Sequence, residues 1–374
     1  MRGSGRIRDE KEISGCAISG IMSESGRRFG GGTILRSIAN MHDRSNGLGG
    51  GFAAYGIYPD RADQYALHVM YDDVEAVGRC EDFIRRHCDV QHDEPIPIRP
   101  TETIRGVPRL HRYFVTIRPE AVERHFELSE DDIVVHMVMR INAIIDGAFV
   151  FSSGKDMGVF KGVGFPEEIG RFYRLEEYEA YIWTAHGRFP TNTTGWWGGA
   201  HPFGLLDWSV VHNGEISSYG INRRYLANFG YHCGLQTDTE VITYLFDLLM
   251  RKHGLPLEAA CMALAPPFWT EIERMDPEHR EVARTIRTVY GGALLNGPFS
   301  VLVARRDGMI GFNDRIKLRP MVAARKDDML YVASEEAAIR VVADDVDVLW
   351  HAKGGVPIVG TLKGGEPAKE TSVA

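Results

Sequence analysis

Residues 15–22, GCAISGIM, set a single thiol, Cys16, directly after a glycine and at the head of an apolar run of strand type. The residues before it, MRGSGRIRDEKEIS (1–14), are rich in glycine and charge and hold no apolar segment, so they do not read as a secretory signal. A thiol in this position has two readings. A buried strand cysteine is the ordinary one, because cysteine is among the most buried residue types. The other is a nucleophile. An ordinary cysteine has a pKa of about 8.5 and is only a few per cent thiolate at neutral pH, so it needs a base beside it. The sequence offers no Cys–His pairing close to Cys16. An N-terminal cysteine carries its own base, since an α-amino group has a pKa of about 8. Cys16 becomes N-terminal only if residues 1–15 leave as a leader. Removal of the initiator methionine cannot do this, because Gly15 precedes the thiol. A glycine there leaves its carbonyl open to attack by the neighbouring thiol.

The rest of the composition narrows the function classes. The chain has 374 residues, 44% of them hydrophobic, enough to bury a large core. A net charge of -8, with no lysine or arginine run, argues against a nucleic-acid partner. No stretch approaches the roughly 18 apolar residues of a membrane span. Five cysteines without a CxxC pair argue against a disulfide framework and against a zinc or iron–sulfur site in this chain. Neither GGG (30–32) nor GLGGGF (47–52) fits a nucleotide-binding glycine pattern, and the histidines show no metal spacing. The cytoplasm is the expected compartment.

Strand and helix patterns alternate without a regular βαβ order, which predicts antiparallel sheets covered by helices, an α+β fold. Residues 51–58 and 65–71 read as strands that could pair. The stretch 89–175, opening on QHDEPIPIRP, reads as an elaboration of the domain.

Three further stretches carry chemistry. AHGRFPTNT (185–193) gathers His186, Arg188, Thr191, Asn192 and Thr193 at the end of an apolar strand. Arg188 offers a planar fork suited to a carboxylate, against the plainer reading of an ion-paired surface turn. VVHNGEI (210–216) is a hairpin signal by pattern alone. Its functional reading is an oxyanion hole, built from the Asn213 amide and the backbone N–H of Gly214. LQTDTEV (235–241) places Thr237 and Glu240 at capping-box spacing, which explains a helix start without any function. Asp238 is surplus to that box and could favour the helix N-terminus or bind an ammonium group. Trp196 and Trp197, in TTGWWGGAHPF, suit either a packed loop or a mobile aromatic cover over a site.

Together these stretches resemble the class II glutamine amidotransferases, and the glutamate synthase branch is the most similar. GCAISGIM, GRFPTNT (187–193), HPFGLLDWSVVHNGEI (201–216) and TDTE (237–240) carry the resemblance, with FNDRIKLRP (312–320) and YVASEEAAI (331–339) similar to the end of that domain. The resemblance implies an Ntn-hydrolase four-layer αββα sandwich over 16–362, between a leader (1–15) and a polar tail (363–374). It also implies roles. Cys16 attacks the side-chain amide of glutamine with its own freed α-amino group as base. Asn213 and Gly214 hold the oxyanion. Arg188 takes the α-carboxylate with Thr191 assisting, and Asp238 takes the α-ammonium. No cofactor is expected in this chain. A flavin and an iron–sulfur cluster are expected on a partner synthase subunit that receives the ammonia, in a hetero-oligomer of glutamate synthase or N-methylglutamate synthase type. An asparagine, amino-sugar or purine acceptor is the alternative, as is a regulatory subunit that keeps the fold without activity.

Overall fold

The computed structural model describes residues 15–124, 128–189 and 195–363. Residues 1–14 of the expected leader, Thr191 and residues 364–374 of the expected tail lie outside the described residues. Two antiparallel sheets face one another. The first has seven strands, ordered Val348–His351, Val322–Lys326, Met329–Ala333, Ala17–Ser23, Ile182–Gly187, Gly50–Tyr55 and Met157–Gly162. The second has five, ordered Phe203–Leu205, Trp208–Gly214, Phe299–Arg305, Gly308–Asn313 and Ile358–Thr361.

Ala17–Ser23 (AISGIMS) is paired on both edges, and every residue in it is buried. A strand covered on both faces needs small residues where its neighbours come close. Gly20 is such a point: a Cβ there would lie 2.6 Å from the Met309 sulfur and 3.0 Å from Leu302, both in the second sheet. Gly20 therefore faces the inter-sheet layer, and by the two-residue period of a strand so do Cys16, Ile18 and Met22. Ser19 faces the other way, its hydroxyl 2.7 Å from that of Ser37 in helix Gly32–Ala39, and Ser37 in turn donates to the Ala338 carbonyl at 2.8 Å.

Helices Gly32–Ala39, Pro166–Phe172 and Glu336–Arg340 cover the outer face of the first sheet. Asp238–Phe246 covers the outer face of the second, with Tyr219–Ala227 packed against it. The layers thus run helix, sheet, sheet, helix, the α+β Ntn-type sandwich. One hydrophobic cluster fills the space between the sheets and under the first helical layer; a second lies under the other. Among the described residues no helix is long and apolar enough to cross a membrane.

A third, four-stranded antiparallel sheet corrects the expected strand pairing. Gly50–Tyr55 does not pair with Tyr65–Tyr71; its neighbours are Ile182–Gly187 and Met157–Gly162. Tyr65–Tyr71 instead lies between Arg109–Ile117 and Ala148–Ser152, with Cys88–Pro95 at the far edge. Strand, helix Val74–His87, two strands, helix Glu130–Ile144 and strand follow in chain order, so the elaboration begins earlier than residue 89. It also ends earlier than 175, since Met157–Gly162 belongs to the main sheet. Its inner face is tied to the body by polar contacts. His68 is fully buried, with its ring nitrogens 2.9 Å from the Tyr58 hydroxyl and 2.9 Å from the Val159 carbonyl. Arg112 holds Glu94 and reaches the hydroxyls of Tyr58 and Tyr178. Local pattern could not show this pairing, because strands alike in composition can join either partner, and the choice is made by burial on both faces.

Candidate active site

Cys16 stands one residue before the Ala17–Gly187 pair, at the end of the ladder where its neighbour across the sheet is Arg188. The thiol is partly buried, and the Phe189 N–H donates to its sulfur at 3.4 Å. Its carbonyl accepts from Arg44 Nε at 3.3 Å, and Arg44 is itself held by Glu335 at 2.7 Å. Burial pushes the thiol up; the Phe189 N–H, Arg188 and Arg319 pull it down, and Asp238 opposes them, with burial prevailing. The other four cysteines are all buried, and none adjoins these groups.

Arg188 is fixed through its backbone. Its N–H donates to Gly49 at 2.9 Å, and its carbonyl accepts from Asn46 N–H at 3.2 Å and from the Ser45 hydroxyl at 3.1 Å. Its side chain runs past Gly49 and Gly199, where a Cβ would stand 3.1 Å from Cδ and 3.6 Å from Nη1. The two glycine-rich runs thus make room for this arginine. Burial lowers the Arg188 pKa, while Cys16 and Asp238 act to raise it, so all three groups share one electrostatic neighbourhood.

Asn213 and Gly214 end the Trp208–Gly214 strand of the facing sheet. The two sheets are tied at this level: His186 Nε2–H, beside Ile18, donates to the His212 carbonyl at 2.9 Å. Cys16 is two residues from Ile18 and Asn213 is one from His212, so thiol and amide occupy the same end of the inter-sheet layer. The Asn213 side chain is fully buried, and neither its oxygen nor its nitrogen has a hydrogen-bond partner. An unmade hydrogen bond on a buried amide costs about 1–3 kcal/mol. Gly214 has φ +154°, and a Cβ there would lie 2.1 Å from the Pro298 carbonyl oxygen, so glycine alone fits. The pair is thus a strand end rather than the tip of a hairpin.

Asp238 is the first residue of helix Asp238–Phe246. One carboxylate oxygen accepts the Ile216 N–H at 3.0 Å, and the other lies 3.4 Å from His212 Nδ1. Burial alone would raise its pKa; His212, the Ile216 N–H and Thr239 outweigh it, so the carboxyl is held below its ordinary value. The expected capping box does not close. Thr237 caps the helix by accepting the Thr239 N–H at 3.1 Å. Glu240 turns back instead to the N–H groups of Gly234 and Leu235, and the Tyr244 hydroxyl donates to it.

Several neighbours escaped sequence reasoning. The Thr239 hydroxyl sits between His201 Nε2 (3.1 Å) and His212 Nδ1 (3.2 Å), and the rings of His186 and His201 lie 4.1 Å apart. Burial lowers His186 to about 3 and His201 well below the ordinary range, so both are neutral at pH 7. His186 stands in the sequence only as one polar group of AHGRFPTNT, and His201, in the bend before strand Phe203–Leu205, carries no signal. Arg44 and Arg319 sit far from Cys16 in sequence, and only FNDRIKLRP hinted at the second. Both tryptophans are packed. Trp197 is buried against Phe172, and Trp196 meets Phe149 edge-on at 5.2 Å. Among the described residues no cluster of His, Cys, Asp and Glu could hold a metal ion.

Comparison with known proteins meets this geometry. A family model described as class-II glutamine amidotransferases matches residues 100–229, a span holding Arg188, Asn213 and Gly214. A provisionally named glutamine amidotransferase of Methanothermobacter thermautotrophicus is 25% identical over 92% of this chain and 99% of its own. An uncharacterized protein of Archaeoglobus fulgidus is 52% identical over 98% of this chain and 97% of its own. The chain is thus similar to the class II glutamine amidotransferases over the span of that model and along the length of the Methanothermobacter relative. The large chain of Bacillus subtilis glutamate synthase [NADPH] is 27% identical over 50% of this chain, which spans 13% of that much longer protein. The site brings together a thiol, a guanidinium, a carboxylate and an amide without a hydrogen-bond partner.

Proposed function

We propose that this chain is a class II glutamine amidotransferase, a glutaminase subunit in which Cys16, freed by removal of residues 1–15, is the nucleophile. The observation that carries the reading is the convergence of Cys16, Arg188 and Asp238 with the unpartnered Asn213 amide at one end of the inter-sheet layer. Glutamine binds with its α-carboxylate on Arg188 and its α-ammonium on Asp238, and Thr191 assists. The Cys16 α-amino group takes the thiol proton as sulfur adds to the amide carbon. The oxyanion that forms is held by Asn213 Nδ2 and the Gly214 N–H. Collapse expels ammonia, which leaves with the proton returned by the α-amino group. Water then adds to the γ-glutamyl thioester, glutamate departs and the thiol is restored.

The reading extends to a partner. Ammonia released to solvent is lost to synthesis, so a synthase subunit bearing a flavin and an iron–sulfur cluster receives it, of glutamate synthase or N-methylglutamate synthase type, in a cytoplasmic hetero-oligomer. The resemblance of HPFGLLDWSVVHNGEI to the glutamate synthase branch supports that acceptor over asparagine, amino-sugar or purine ones.

The test is intact mass and peptide mapping after incubation with a glutamine analogue bearing an electrophilic tail. The expected protein begins at Cys16 and is modified there alone among its five cysteines. Modification at Cys80, Cys88, Cys233 or Cys261 with Cys16 untouched overturns the assignment, as does full glutaminase activity in Cys16→Ala.

A further inference from the structure

Beside Cys16 stands a second arginine whose place the nucleophile alone does not explain. Arg319 belongs to the segment between strands Gly308–Asn313 and Val322–Lys326, and its guanidinium reaches back to the Gly15–Cys16 junction. A Cβ on Gly15 would lie 3.7 Å from Arg319 Nη1. The segment is held firmly. Asn313 Nδ2 donates to the Arg319 carbonyl at 2.7 Å. The buried Asp314 carboxylate accepts the N–H groups of Phe299, Ile316 and Leu318 at 3.2, 3.1 and 3.0 Å. The guanidinium at its end has no such commitment. Arg319 Nε is buried without a hydrogen-bond partner, and among the described residues no carboxylate forms an ion pair with it. Arg44, the other arginine at this junction, differs, since Glu335 neutralises it at 2.7 Å.

We infer that Arg319 is a positioning residue that sets the ionisation of Cys16, its uncompensated charge keeping the α-amino group neutral and favouring the thiolate. The inference rests on Cys16 acting as an N-terminal nucleophile. The physical argument is one of sign. The α-amino group of the processed chain forms where the Gly15–Cys16 peptide now stands. A positive charge a few ångströms away disfavours a second positive charge and favours a negative one. A general base must be unprotonated at working pH, and an α-amino group at about 8 is mostly protonated at pH 7. The other charged groups facing this junction are Arg188 and Asp238 on the substrate side, and the Arg44–Glu335 pair. Bound glutamine occupies the first two with its own charges, and the third is internally compensated. Arg319 is the charge left to act on the nucleophile in both the free and the liganded enzyme.

The experiment is the pH profile of kcat/KM for glutamine hydrolysis by the processed full chain, comparing wild type, Arg319→Gln and Arg319→Lys. Loss of the charge raises the α-amino pKa, so the acid limb of Arg319→Gln moves up by about one pH unit. Well below the limb its rate falls about tenfold, while on the plateau it approaches wild type. Arg319→Lys keeps the charge and the limb. Arg319→Met, which keeps the volume of the stem, carries the test if Arg319→Gln does not fold. A uniform fall at every pH with the limb unmoved makes Arg319 a structural residue and overturns the inference. So does an unchanged profile. Labelling of the wild-type thiol by the electrophilic analogue separates the two failures: no labelling overturns both readings, whereas labelling with an unmoved limb overturns only this one.

Discussion

The backbone N–H of Phe189 points at Cys16 Sγ from 3.4 Å, so the thiol and the segment that carries Arg188 are held to each other. The contact follows from register. Ala17 pairs Gly187, and the next step of the ladder sets Cys16 beside Arg188. A one-residue slip would turn Cys16 to the helical face, away from Asn213. Position of the thiol is therefore a property of the sheet, not of the residues beside it in sequence.

Asn213 should serve the transition state more than the bound substrate. Its amide has no partner in the resting protein, and its removal leaves the developing oxyanion with one donor fewer. Losing such a donor costs about 10²–10³ in kcat, roughly 2.7–4 kcal/mol. Asn213→Ala is expected to fall by that amount in kcat with KM little changed, as steady-state kinetics will show. A change confined to KM would make Asn213 a binding residue.

Arg188 and Asp238 should divide the substrate between them. Truncating one partner of a buried charge pair costs on the order of 2–5 kcal/mol, so Arg188→Ala and Asp238→Ala should each lose at least about tenfold in kcat/KM. Asp238→Ala should also lose most of its preference for glutamine over the des-amino analogue, and Arg188→Ala its preference over an analogue with a neutralised carboxylate. Asp238 has a second duty, since it holds the Ile216 N–H at 3.0 Å. Asp238→Asn keeps an acceptor there and removes the charge. Equal discrimination by a folded Asp238→Asn and by wild type would return the residue to helix and turn support.

Gly214→Ala should damage the fold itself. The added Cβ would meet the Pro298 carbonyl at 2.1 Å, and the backbone at φ +154° is one that only glycine adopts readily. Overpacking plus backbone strain is expected to cost about 2–4 kcal/mol, read as a lower denaturation midpoint. A midpoint equal to wild type would show that strand Trp208–Gly214 yields at its end.

Glu240 gives the protein a pH-dependent weakness. It is 1% exposed, and burial lifts its pKa to about 7. An unfolded glutamate titrates near about 4.3, so between these values the folded state binds the proton more tightly. The stability Glu240 contributes is full below that lower value and is lost as pH rises through about 7. Glu240→Gln should remove this fall, overtaking wild type by on the order of 2 kcal/mol between about pH 5 and pH 7 in denaturant titrations. Lys161, buried and lowered to about 7, has the opposite sign: its contribution is lost as pH falls through that value. The Glu240 charge acts to raise Lys161, so Glu240→Gln lowers it further, and the difference between the two proteins reads the pair rather than the acid alone. Parallel stability curves would mean that Glu240 ionises without penalty.

Much was legible before folding. Alternation and helical spacing identified most elements because each is covered on a defined face. Cys16, Arg188, Asn213, Gly214 and Asp238 could be named because side-chain chemistry is local: a thiol, a fork, an amide and an acid are what they are in any fold. The residue types at 16, 188 and 238 left plainer readings open, and it was the family resemblance, carried by their order along the chain, that implied their roles. What sequence could not determine was distance. The partner of Tyr65–Tyr71, the reversed course of Glu240 and the arrival of Arg44 and Arg319 at the thiol all depend on contacts between residues far apart in the chain. Whether a buried amide finds a partner, or an arginine a carboxylate, is settled only when two sheets close on each other. Tertiary packing therefore decided which polar groups are satisfied and which are not, and those of Asn213 and Arg319 that are not lie at the thiol's end of the inter-sheet layer.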